Sequence, residues 1–144
     1  MSFNGSFEHK LDSKGRIVVP SCFRDELGEH IVITSMDQEY ISVYSKENWQ
    51  KAVVSRVEEN ALKTLNGADA KRIIMSLSFS VEVDSAGRML LPEKMRKDVS
   101  IVQDVVIVGN TNKIEVWDSA RWHKYIAEKE SLLLAEVHQL LLGL

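Results

Sequence analysis

Nine residues of this chain are written twice. Asp12-Ser13-Lys14-Gly15-Arg16-Ile17-Val18-Val19-Pro20 returns in pattern as Asp84-Ser85-Ala86-Gly87-Arg88-Met89-Leu90-Leu91-Pro92, a displacement of 72 residues in a chain of 144. The same displacement carries Phe7 onto Phe79 and Arg24 onto Arg96. An internal repeat on this scale constrains the architecture before any local propensity does. A unit of this size buries a modest fraction of its surface and is marginal alone. The two copies are therefore expected to share one core, with residues 1–77 as the first repeat plus connector helices and residues 78–144 as the second plus a C-terminal helix.

Each copy reads as strand, tight turn, short apolar strand and short helix, which predicts a mainly β chain with helices (α+β). The carboxylates of Asp12 and Asp84 suit an Asx-type turn, accepting from backbone N–H groups one or two residues on. Gly15 and Gly87 stand where such a turn needs a positive φ. Pro20 and Pro92, the only prolines, fit the first turn of a helix, where a missing N–H does no harm. Turn chemistry accounts fully for the turn-forming set Asp12, Gly15, Asp84 and Gly87. Arg16 and Arg88 leave two readings open. Each either braces its own turn against the aspartate or presents a guanidinium to a phosphate or a base edge.

Along the chain, residues 5–11 and 17–19 are expected as strands and Pro20 to Leu27 as a helix capped by Gly28. His30 to Met36 and Tyr40 to Tyr44 form a hairpin about Asp37-Gln38-Glu39. Ser45 caps a helix whose apolar stripe is Trp49, Val53, Val57, Ala61 or Leu62, and Leu65. Asn66-Gly67 ends it, and a second short helix follows with Ile73, Ile74 and Leu77 inward. The second half repeats the order: Phe79 to Val83, the turn, Pro92 to Val99, and a hairpin from Val105 to Trp117 around Asn110-Thr111-Asn112. Asparagine tolerates left-handed conformations in such a bend. Asp118 or Ser119 caps a last helix with Trp122, Ile126, Leu133, Val137 and Leu140 inward. Its leucine runs exceed what one face of a lone helix needs, so they either complete the core or meet a neighbouring subunit.

The net charge of −3 argues against a generally basic nucleic-acid binder, so any such site must be a local patch. Between Lys10 and Arg24 there is one: four cations against one anion leave +3. Lys10, Lys14, Arg16 and Arg24 make up this locally basic patch. The single cysteine, Cys22, has no partner for a disulfide or a zinc site, and reads as a small core residue in a reducing, cytoplasmic setting. No signal pattern or long apolar run is present. No nucleophile stands beside a base, and no HExxH, CxxC, GxSxG or phosphate-binding loop occurs. Neither an enzyme nor a cofactor or metal is expected.

With Gly5-Ser6-Phe7 ahead of the first turn, Val108-Gly109-Asn110-Thr111-Asn112-Lys113-Ile114-Glu115-Val116-Trp117-Asp118 after the second, and Trp122-His123 in the last helix, the sequence resembles the bacterial MraZ family over essentially its whole length. Beyond that family lies the SpoVT/AbrB group. The resemblance implies two βαβ halves interlocked as a double-psi or swapped-hairpin AbrB-like barrel, and chains assembled into closed rings. It implies a cytoplasmic, nucleoid-associated transcriptional regulator of the division and cell-wall gene cluster. Its partner would be double-stranded DNA carrying short direct repeats in the promoter, with no membrane and no small-molecule substrate. Asp12 to Arg16 and Asp84 to Arg88 would form the DNA-contacting surface, with Lys14, Arg16 and Arg88 as DNA contacts and Lys10, Arg24 and Arg96 as candidate phosphate contacts, although Ala86 stands where the first copy has Lys14. A ring-forming scaffold and an antitoxin-type repressor without direct base reading are the rival classes.

Overall fold

A computed structural model describes residues 2–143. The first half runs β1 (Ser6–Lys10), β2 (Arg16–Val18), α1 (Ser21–Leu27), β3 (His30–Thr34) and β4 (Ile41–Ser45). The connector comprises α2 (Lys46–Trp49), a π-helical turn (Gln50–Val54), α3 (Ser55–Ala61) and α4 (Gly67–Ser76). The second half runs β5 (Ser78–Glu82), β6 (Arg88–Leu90), α5 (Glu93–Asp98), β7 (Asp104–Asn110), β8 (Lys113–Asp118), α6 (Ser119–Lys129) and α7 (Leu134–Leu142).

The halves exchange strands. β1 pairs with β7 of the second half, Phe7 opposite Ile107. Its counterpart β5 pairs with β3 of the first, Phe79 opposite Ile33. Strands that are each other's counterparts also pair directly, β4 with β8 and β2 with β6. The result is a six-stranded antiparallel sheet, β1-β7-β8-β4-β3-β5, and a separate two-stranded ribbon, β2-β6. The halves interlock as expected, but the hydrogen-bonded ladder does not close into a barrel. β1 and β5 are its edges, and the ribbon lies apart as its own sheet.

One core joins both halves. Ile17, Val19, Phe23, Ile33 and Val43 of the first pack with Met89, Leu91, Met95, Ile107 and Val116 of the second. β3 and β7 bury residues of both faces because helices cover the side away from this core. On that side Trp117 stacks on Tyr40 and meets Trp122 and Tyr125 of α6. The Trp117 indole donates to the buried carboxylate of Glu115, which also accepts from Asn110. The helix caps are as expected: Ser45 accepts from the Asn48 N–H and Asp118 from that of Arg121. Pro20 and Pro92 stand one position earlier than expected, at the N-caps.

Several expectations are corrected. Cys22 is exposed, because α1 turns Phe23 and Leu27 inward and leaves its neighbour on the solvent side. Of the connector stripe only Trp49 is buried, and Leu62, Leu65 and Ile73 are exposed. The π-turn shifts the helical period, and α3 ends at Ala61, before the expected Asn66-Gly67, which leaves Leu62 and Leu65 in the turn before α4. The last helix breaks into α6 and α7, with Leu133, Val137 and Leu140 exposed. Its leucines do not complete the core of this chain. In the β7–β8 bend the left-handed residue is Thr111 (φ +60°), not an asparagine. The backbone bond pair between Phe3 and Thr111 pins that bend to the N-terminal segment.

Candidate nucleic-acid interface

The two Asp-x-x-x-Arg turns have the same construction. Asp12 Oδ1 accepts from the N–H groups of Lys14 and Arg16, both at 2.9 Å, and Asp84 Oδ1 accepts from Ala86 at 3.0 Å and Arg88 at 2.8 Å. The second carboxylate oxygen takes the arginine Nε, at 2.7 Å for Arg16 and 2.8 Å for Arg88. These bonds favour the ionised carboxylate. The Arg16 N–H, foremost, holds the Asp12 carboxyl at about 2, against 3.8 for the free side chain. The Arg88 N–H lowers Asp84 in the same way. Gly15 and Gly87 both take φ +77°.

Each turn is held by the other half. The N–H of Leu91 donates to the Gly15 carbonyl at 2.9 Å, and that of Val19 to the Gly87 carbonyl at 2.8 Å. Arg96 Nε donates to the Leu91 carbonyl and lays its guanidinium over Gly15, while Arg24 does the same through the Val19 carbonyl over Gly87. A Cβ at Gly87 would lie 2.6 Å from the Arg24 Cζ, and one at Gly15 2.8 Å from an Arg96 terminal nitrogen. Glycine is thus favoured by its φ, and a side chain there would also have to push aside the guanidinium packed on it. Arg24 and Arg96 act as clamps on the turns through Nε, Arg24 being exposed and Arg96 half-buried. Lys10 ends β1 two residues before Asp12, exposed and 3.8 Å from Asp104.

Arg16 and Arg88 share one face. In the β2–β6 ribbon Arg16 stands opposite Leu90 and Val18 opposite Arg88. Ile17 and Met89 point into the core, which puts the other four side chains on the outer face. The arginines sit on one diagonal of this patch, roughly 7–8 Å apart by strand geometry. Their side chains are 27% and 36% exposed. The brace reading holds, since Nε is bonded to the turn aspartate, and among the described residues no hydrogen bond uses the terminal nitrogens of either guanidinium. Lys14 projects beside Arg16 and is exposed. The corresponding span of the second copy, residues 82–96, balances three cations against three anions, so the +3 of the first copy is not repeated.

Sequence reasoning missed Val18 and Leu90 on this outer face. Ile17-Val18-Val19 and Met89-Leu90-Leu91 are unbroken apolar runs, so nothing in the letters marks the middle residue as outward. The clamps were signalled only by the shared displacement of Arg24 and Arg96.

Two half-chains that trade strands, and that together present a pair of Asp-x-x-x-Arg turns on one ribbon, define a tandem swapped-hairpin protein. A family model described as "MraZ protein, putative antitoxin-like" matches twice in tandem, over residues 2–71 and 74–142. The chain belongs to the MraZ family. It is similar to the transcriptional regulator MraZ of Lachnoclostridium phytofermentans, 40% identical over 124 residues that cover 83% of this chain and 84% of the relative. The proteins of the same name from Pediococcus pentosaceus (34% identical, 89% of each chain) and Acetivibrio thermocellus (33%, 91% of this chain and 98% of the relative) are also similar. These relatives carry a regulator's name and not an enzyme's, in accord with a chain that is not an enzyme.

Proposed function

We propose that this protein is a transcriptional regulator that grips double-stranded DNA with the outer face of the β2–β6 ribbon. The observation that carries the reading is the pair of guanidinium groups on that one face, each tethered through Nε with its terminal nitrogens unengaged among the described residues. A tethered guanidinium is a pre-oriented fork, and arginine reads guanine O6 and N7 bidentately in the major groove, which admits a two-stranded ribbon. Lys14 holds phosphate, giving salt-dependent affinity without sequence preference. The names of the relatives support the regulator class.

The target is a set of short direct repeats upstream of the division and cell-wall gene cluster, and the protein works in the cytoplasm, associated with the nucleoid. One ribbon offers few contacts. A closed ring of chains multiplies modest affinities through effective concentration, with boxes spaced about one helical turn, about 10 base pairs, apart. The exposed leucines of α7 and of the segment before it, among them Leu132, Leu140 and Leu141, favour self-association over a free monomer. The test is a gel shift with a repeat-bearing promoter duplex against a scrambled one at two salt concentrations. Preference for the repeats at both salts is expected, and equal binding to both duplexes, or none, overturns the reading.

A further inference from the structure

The ribbon's outer face carries more than its arginines. Val18 and Leu90 occupy the other diagonal, 39% and 46% exposed, each directly opposite an arginine. Their strand neighbours Ile17, Val19, Met89 and Leu91 are wholly buried, so the core is already filled from this ribbon without them. Such a position gains strand propensity and packing on the opposite arginine's stem from an aliphatic side chain, and gains most where something also covers it. The chemistry around it says what does. The patch is flanked by Lys14 and two guanidinium groups, which suits a polyanion, and the apolar feature that a duplex offers in its major groove is the 5-methyl group of thymine.

We infer that Val18 and Leu90 are specificity-determining residues that pack against thymine methyl groups. The inference rests on reading the ribbon as a duplex reader, and it adds a base that the arginines do not recognise. Residues two apart on a strand are about 7 Å apart, and successive bases on a DNA strand about 3.4 Å. The four side chains therefore address bases within about three consecutive base pairs. Each box then holds thymine within that distance of the guanines, and the leucine and the valine, differing in reach, differ in how strongly they demand it.

The experiment begins by selecting duplexes from a randomised pool with the full-length protein. Deoxyuridine, which lacks only the methyl group, then replaces each thymine of the selected box in turn. One or two of these replacements, within three base pairs of a required guanine, should weaken binding about three- to fivefold, the weight of one buried carbon group. Val18→Ala and Leu90→Ala should bind the thymine box that much more weakly and lose their sensitivity to the replacement at the matching base. The wild-type arm does not depend on any variant folding. A selected box without thymine near its guanines, indifference of the wild type to every deoxyuridine, or variants as sensitive as the wild type would each overturn the inference while leaving DNA binding intact. A pool that yields no selected duplex removes the DNA reading itself, and this inference with it.

Discussion

The two turns are nearly superposable in their bonding and unlike in their surroundings. Asp12 and Asp84 make the same three bonds, and Gly15 and Gly87 share one φ. Yet Lys14 faces solvent where its counterpart is Ala86. Phe7 is half-buried against Phe23, which Phe3 also meets edge-on, whereas its counterpart Phe79 is 47% exposed. The backbone of the repeat is held fixed because each copy completes the other's turn. The charge and the cover around it are free to diverge because neither enters those bonds. On the proposed function, equal geometry with unequal charge would make the first turn the stronger electrostatic anchor and leave the two arginines equivalent.

The largest expected contrast is in packing. Phe7→Ala should cost about 2–4 kcal/mol in chemical denaturation, and Phe79→Ala about 1 kcal/mol or less. Equal losses would mean that Phe79 is covered in solution. Next come the arginines. Arg16→Lys and Arg88→Lys keep the charge but lose the fork, and each should lower discrimination between repeat and scrambled duplex by about 1–3 kcal/mol in competition binding. A loss at only one of them breaks the equivalence of the two readers.

The glycines sharpen the comparison further. Alanine at either site costs about 1–3 kcal/mol through its φ. Gly87→Ala should be slightly the worse, since its Cβ would lie 2.6 Å from the Arg24 Cζ and that of Gly15 3.0 Å from the Arg96 Cζ. Thermal melts of the two variants rank them. Lys14→Ala should reduce the slope of log affinity against log salt by about 0.9, and Ala86→Lys should raise it by the same amount if the second turn lies equally near the phosphates.

The smallest effect is in pH. The folded-state carboxyl of Asp12 lies below its free value, so its stabilising contribution is complete above the ordinary 3.8 and is lost as pH falls through about 2. Asp84 is depressed in the same direction. Carboxyl carbon shifts followed by NMR from pH 5 downward should show both still ionised where free aspartate has titrated.

Much of this was legible in the letters. The displacement of 72 residues exposed the repeat, the aspartate–glycine spacing exposed the turns, and Ser45 and Asp118 marked their helices. What the letters withheld was partnership. Nothing in Phe7 or Phe79 says that β1 crosses to β7 and β5 to β3, because alternation fixes which face is buried and not which strand lies alongside. The same gap hid the clamps, since Arg24 and Arg96 each reach into the other half. Helix faces failed where the helix ended early: α3 stops at Ala61, and Leu62 and Leu65 fall in the exposed turn before α4. Cys22 looked apolar enough to bury, but α1 is only seven residues long and had already filled its inward positions with Phe23 and Leu27.

The central claim is that the paired guanidinium groups are what the ribbon uses to hold promoter DNA. It is tested most directly by titrating a fluorescent repeat-bearing duplex with the double variant Arg16→Ala, Arg88→Ala, and melting the same sample. The account predicts affinity reduced to the level of scrambled DNA, with a melting temperature close to that of the wild type, because exposed ion pairs contribute little to stability. Wild-type affinity in a folded double variant, or a variant that loses DNA only because it unfolds, would contradict it.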